Sequence, residues 1–392
     1  MHLSPAADTV FEMEFERLSV EALPELPAPN KEWLVLGHAA GNPFTTWEWA
    51  SAWWREFGEE RRQLILGCRD ESGELIGLLP LFAASERPAR VLRFVGHGAA
   101  DQLGPVCRPE HREAVAAAFL GALRERRDWD ICMAERLATV EAWPELIGGT
   151  VTRSERSPTI HVKTTDWTEF LSNYSSNFRG QVRNFENRLA KKHELAFRRS
   201  EDPERLDDDL DVFFRLHEQR WENGAGGSTV FSSGLEQFHR GFAHEALRRG
   251  WLRLSFLELD GEPVASAYVF RLGGADWLYQ QGWDPSLAKQ RVGRVMLNRT
   301  IRDAVEDGMS EYKFLLGEEE YKDRYTDEDA PVTTVAIGRN AVFRSAVGAA
   351  VPLKRMVANA RDAARRTLAR GTPAFPVLDE MLAGGVFAPA GI

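Results

Sequence analysis

The chain has 392 residues, 43% of them apolar, with twelve tryptophans and a formal charge of −10. That length suits two cores of ordinary size, and the charge argues against a general nucleic-acid binder, so basic segments have to be read locally. Cys68, Cys107 and Cys132 form an odd, widely spaced set without a C-x-x-C pair. They suggest neither a disulfide framework nor a cysteine zinc site and fit a reducing cytoplasm. No secretion signal opens the sequence and no apolar run of about 18 residues predicts a membrane span.

In chain order, "VFEMEFERL" alternates like a strand, and "NPFTTWEWASAWWREFG" has an Asn-Pro start and helical apolar spacing. "RQLILGCRD" and "LIGLLPLFAA" read as a hairpin, "RVLRFVG" as a strand, "PEHREAVAAAFLGALRERR" as a helix and "WDICMAER" as a strand. The composition break "GGTVTRSERSPT" reads as a boundary near 148–158. In the second half, "WTEFLSNYSSNFRGQVRNFENRLAKKH" is predicted helical, with Phe178, Val182, Phe185 and Leu189 on one buried face. "ELAFRRS" is a strand, "PERLDDDLDVFFRLHEQRWEN" and "LEQFHRGFAHEALRRG" are helices, and "LRLSFLELD", "VASAYVFRL" and "WLYQQGW" form an antiparallel meander. A helix with Leu297, Ile301, Ala304 and Val305 on one face follows, then the strand "EYKFLL". In the tail, residues 353–370 read as a basic amphipathic helix, which can pack on the protein or lie on an anionic membrane.

The hexamer "QRVGRV" stands where the meander gives way to a helix. The first amides of a helix lack partners and carry partial positive charge, and a glycine there lets a phosphate approach the backbone. Gly293 is placed for this, although a glycine can also merely ease a loop into a helix. "GEEEYKDRY" puts acids and a lysine at the C-terminal end of a strand, either as a site or as a solvated turn. In "RLHEQRW", His217, Arg220 and Trp221 share a helix face, with His217 a candidate base and Arg220 with Trp221 a recognition edge for a sugar or phosphate. Signatures of zinc proteolysis, serine hydrolysis, P-loop and dinucleotide chemistry are absent from the sequence.

The order of meander, "QRVGRV" loop, helix and strand resembles the acyl-CoA-binding core of the GNAT superfamily, whose pyrophosphate loop reads Q/R-x-x-G-x-G/A. Gln290, Arg291, Val292, Gly293 and Arg294 follow it, while Val295 replaces the final small residue. A closer resemblance is to the CelD-like acetyltransferase group, related to FemAB-type aminoacyl transferases. It rests on "NPFTTWEWASAWW", "RLHEQRW", the block around "QRVGRV" and "FLLGEEEYKDRY", over roughly residues 10–340.

The resemblance implies an α/β (α+β) fold of two tandem GNAT-like domains, each a mixed, mostly antiparallel sheet flanked by helices. The expected division is 1–150, 158–340 and a tail at 341–392. It implies an acyl-CoA, such as acetyl-CoA, as co-substrate without a metal, and N-acyl transfer to an amine on an amino sugar or envelope-polysaccharide precursor in the cytoplasm, with peripheral membrane contact through 353–370 as an option. Tyr279, Gln280 and Gln281 would lie beside the thioester and residues 290–294 would hold the pyrophosphate. Lys322 would contact the acyl group or a phosphate, Glu318 or Glu319 would be the base, and Tyr321 would join Arg220 and Trp221 at the substrate. No nucleic-acid partner is expected, except tRNA under the alternative of an aminoacyl-tRNA-dependent transferase. A non-catalytic adaptor in polysaccharide assembly is the other alternative.

Overall fold

A computed structural model of the protein describes residues 18–86, 89–222, 234–317, 319–326 and 328–349. Residues 10–17 of the strand expected at 10–18, Glu318, the Trp221 side chain and the 353–370 helix lie outside what is described.

The first half runs β1 (Ser19–Ala22), α1 (Lys31–Ala40), a 3-10 turn at Pro43–Thr45 and α2 (Trp47–Phe57). The hairpin β2 (Arg62–Arg69) and β3 (Leu75–Glu86) follows, then β4 (Ala89–Phe94), β5 (Val106–Cys107), α3 (Arg112–Glu125), β6 (Ile131–Ala138), α4 (Trp143–Ile147) and β7 (Thr150–Glu155). The second half runs β8 (Thr159–His161), α5 (Trp167–Ser172), α6 (Ser176–Ala190), β9 (Leu195–Arg199), α7 (Leu206–Glu222) and α8 (Leu235–Arg248). The meander β10 (Leu252–Leu259), β11 (Glu262–Leu272) and β12 (Ala275–Trp283) leads to α9 (Val292–Glu306), β13 (Glu311–Lys313) and β14 (Val332–Gly338). Local chemistry fixes several starts: Thr46 Oγ1 accepts the Trp49 amide at α2, and Ser175 Oγ that of Phe178 at α6.

Two mixed sheets result, flanked by helices as the sequence implies. The first has the order β1-β2-β3-β4-β6-β14-β7 with β5 against β3, and the second β8-β13-β12-β11-β10-β9. Each contains one short parallel pairing: β4 with β6 from Val91↔Ile131 to Arg93↔Met133, and β12 with β13 from Ala275↔Glu311 to Trp277↔Lys313. Beyond three residues each pair parts, opening a gap at one sheet end.

Two expectations need correction. Residues 332–338, assigned to the second unit, pair with β6 and β7 in the first sheet. The segment around 148–158 is not a bare boundary, because β7 runs through it. The cores are likewise shared. Trp49 of α2 is fully buried in an aromatic cluster with Phe238, Phe242, Phe270 and Tyr279 of the second half, while Phe178, Val182 and Leu189 of α6 join α9 in a separate cluster on the other face of the second sheet. Among the described residues no helix is long and apolar enough to cross a membrane.

Candidate functional site

The site is built where β12 outlives its partner β13. Opposite β11, Tyr268 pairs with Gln280 and Val269 with Leu278, so Tyr279 is the extra residue of a β-bulge, a device that re-aims side chains. After β12, Asp284 Oδ1 accepts the Ser286 amide and starts a 3-10 turn at Pro285–Gln290. Arg291 then takes a left-handed conformation, φ 62°, and opens α9 without a side-chain cap. The uncapped first amides remain available to an anion.

Around this end lies a cleft of about 610 Å³ between α6 and α9, lined by Gln181, Phe185, Leu189 and Gln290 and by the cations Arg188, Lys192, Lys289, Arg291, Arg294 and Arg324. The six cations face no acid among the described lining residues. The Arg294 guanidinium lies over the rings of Tyr321 and Tyr325 at 5.7 Å from each centroid, and Arg324 Nη2 donates to Gln181 Oε1 at 2.6 Å. The structure therefore brings Gln290, Arg291 and Arg294 together. Val292 contributes only its amide, its side chain being buried in the core. Gly293 has a reason the sequence does not reveal: a Cβ there would sit 2.6 Å from Trp283 Cε3.

The "GEEEYKDRY" loop is not a solvated turn at its lysine. Lys322 is 3% exposed, and its Nζ donates to Leu316 O at 2.6 Å and lies 2.9 Å from Glu319 Oε2. It is thus tied to its own loop rather than displayed. Next to it Leu315, buried, holds a positive φ of 56°, a strained conformation of the kind that gathers at functional sites. Arg220 reaches from α7 into the same gap. Its Nη1 donates to Gln281 O at 3.0 Å, its Nη2 is 3.7 Å from Glu319 Oε1, and its guanidinium covers the Trp283 ring. Burial pushes the Tyr321 hydroxyl pKa up and that of Arg220 down.

The other expected site residues are distributed differently. His217 lies against Gln280, Nε2 to Oε1 at 3.3 Å, and burial lowers its pKa to about 4, so it is neutral and a weak base at neutral pH. Tyr279 does not line the cleft; its hydroxyl donates to Ala99 O of the first half at 2.8 Å. His239 must then donate from Nε2 to the Tyr279 hydroxyl oxygen, at 3.1 Å. Gln281 is buried, and its Nε2 has no hydrogen-bond partner among the described residues.

A further cluster escapes sequence reading. Where β4 and β6 part, His97 Nδ1 lies 2.7 Å from Glu135 Oε2, and Arg93 donates to the other oxygen of that carboxylate. Nearby, Arg136 pairs with Asp101 at 3.2 Å, and Asp101 Oδ2 faces the Leu316 amide at 3.4 Å. Burial raises the Asp101 pKa. The visible signal was "GHG" at 96–98, but its partners lie some 38 residues away on another strand. Among the described residues no group of His, Cys, Asp and Glu gathers to hold a metal.

Residues 176–323 match the family model described as "Acetyltransferase (GNAT) domain". No curated protein sequence matches the chain. Among solved structures the chain is similar to FemX, at 11% identity and a TM-score of 0.56 over 78% of this chain and 96% of that one. It is also similar to the L-PGS of Bacillus licheniformis (13%, TM-score 0.52, 85% and 98%) and to the C-terminal domain of a putative lysylphosphatidylglycerol synthetase from Agrobacterium fabrum (10%, 0.51, 82% and 95%). β12, its bulge, the α9 terminus and all of the basic cleft but Arg324 lie inside the segment that matches the GNAT acetyltransferase domain, and the chain has the fold that FemX has.

Proposed function

We infer that the chain is an N-acyltransferase that takes its acyl group from an acyl-CoA and delivers it to an amine, on an amino sugar or a related envelope-polysaccharide precursor in the cytoplasm. The observation that carries the donor is the cleft at the α9 N-terminus: six cations, unoccupied helix amides and no acidic side chain among the described lining residues suit the clustered phosphates of CoA. The acceptor class rests on the CelD-like resemblance. Calorimetric titration with acetyl-CoA tests the donor. Saturable binding is expected, weakened about tenfold or more by the double variant Arg188→Glu, Arg291→Glu, whose side chains are exposed enough to change without disturbing the core. Equal affinity in that variant would remove the cleft from the donor site.

A second reading, an aminoacyl-tRNA donor, draws on one observation: α6 and its end present Arg183, Arg188, Lys191 and Lys192 on the exposed side. It predicts that aminoacyl-tRNA competes with acetyl-CoA for the protein and that binding falls steeply with salt.

A further inference from the structure

His97 is displayed by Gly96-His97-Gly98, in which both glycines have positive φ, 99° and 84°. Its backbone is held on both sides: the amide donates to Phe94 O at 3.1 Å and the carbonyl accepts Trp53 Nε1 at 3.0 Å. Glu135, itself gripped by Arg93, accepts from Nδ1. That bond fixes the neutral ring as the Nδ1–H tautomer and leaves the lone pair on Nε2, on a side chain 38% exposed while Glu135 is 15% exposed. An imidazole with one nitrogen on a shielded carboxylate and the other open is organised to accept a proton.

Its position matters as much as its partners. Two residues on, Ala99 O takes the Tyr279 hydroxyl, and Asp101 faces Leu316; both contacts lie where β12 and β13 part. From Trp283, beside the first turn of α9, back to Tyr279 a strand covers about 13 Å. The arm of an acyl-CoA anchored in the basic cleft and laid along β12 therefore ends at the junction that His97 flanks. Other bases are less available there: His217 and His239 are 1% and 0% exposed, and Glu319 is engaged by Lys322 and Arg220.

The geometry points to His97 as the proton acceptor for the attacking amine, with Glu135 as its positioning residue. This rests on the acyl-CoA reading above. In the step, Nε2 takes one proton from the acceptor ammonium, the nitrogen forms the bond to the acyl carbon as the carbon–sulfur bond breaks, and the departing thiolate takes the second proton from that nitrogen.

Bromoacetyl-CoA tests the assignment without knowledge of the acceptor, because it keeps the phosphates and places an alkylating carbon near the acyl position. A bond from Nε2 to that carbon forms as the carbon–bromine bond breaks and bromide leaves. Cys68, Cys107 and Cys132 are buried, and burial pushes their thiol pKa values up to about 11, 12 and 12, so they compete poorly. Peptide mapping of the labelled full chain is expected to find the adduct on His97, lost in His97→Gln and suppressed by excess CoA. Glu135→Gln is expected to lower the maximal labelling rate while the half-saturating reagent concentration holds. An unchanged maximal rate would remove the positioning role. If calorimetry shows the reagent bound while the adduct forms on another residue or not at all, His97 is overturned and the donor reading stands. If the reagent does not bind, the donor reading fails and takes the His97 assignment with it.

Discussion

Arg220 lies over the Trp283 indole, its Cζ 4.0 Å from the ring centroid, while the same guanidinium donates to the Gln281 carbonyl two residues earlier in β12. The side chain thus replaces the strand pairing that β13 no longer supplies. Arg220→Ala should cost about 2–4 kcal/mol, since it removes the stack and leaves a strand carbonyl without its donor. Arg220→Lys should recover less than half of that, because an ammonium has neither the planar fork nor the stacking face. Urea unfolding of the two variants checks this; a fully stable lysine variant would mean that charge alone suffices.

Gly293→Ala should lower stability by about 1–3 kcal/mol through overpacking against Trp283. Adding Trp283→Leu should recover part of the loss, a coupling expected only of neighbours. Additive losses in a double-mutant cycle would show that the glycine serves something other than this contact.

Lys322→Ala should destabilise the fold by about 2–4 kcal/mol, because it leaves the Leu316 carbonyl without its donor and the Glu319 carboxylate with only the more distant Arg220. A lysine exposed in a solvated turn would have cost almost nothing. Chemical denaturation decides between the two, and should be read before any loss of activity in this variant is called catalytic.

The buried histidines set an acid limit. His217 and His239 have folded pKa values lowered to about 4 and about 3 from 6.5, both chiefly by burial. Above pH 7 neither state is protonated and the pair contributes no pH dependence. As pH falls through 6.5, the unfolded chain binds protons that the folded chain refuses, and stability declines until the folded values are reached. The two together should remove about 3 kcal/mol between pH 6.5 and pH 5. Guanidinium unfolding at the two pH values measures this, and His239→Gln should flatten the slope by roughly half. A slope unchanged in that variant would assign the acid sensitivity elsewhere.

The meander, α9 and the "QRVGRV" turn were legible because each is announced locally, by alternation, by helical spacing and by a glycine at a helix start. The burial of Lys322 was not, since three acids beside a lysine read as a solvated run, and only the fold brings the Leu316 carbonyl over its ammonium. Gly293 stands out in the sequence only by the phosphate argument, whereas the Trp283 ring that excludes a Cβ comes from the preceding strand. His97 and Glu135 were missed because a short "GHG" has no periodicity, and its carboxylate partner is joined to it only by the parallel pairing of β4 with β6. β14 was not read as a strand, and alternation, even where it locates a strand, says nothing about which distant edge receives it.

The insertion of β14 between β6 and β7 bears on the order in which the protein is made. When the ribosome has released the first 160 residues, β6 and β7 have emerged, but the strand that separates and joins them is still more than 170 residues from existing. Both hold open backbone edges through the whole synthesis of the second sheet, a long-range closure of the slow-folding kind. Unpaired edges of this sort attract other chains, and the first sheet is completed only when residues 332–338 arrive.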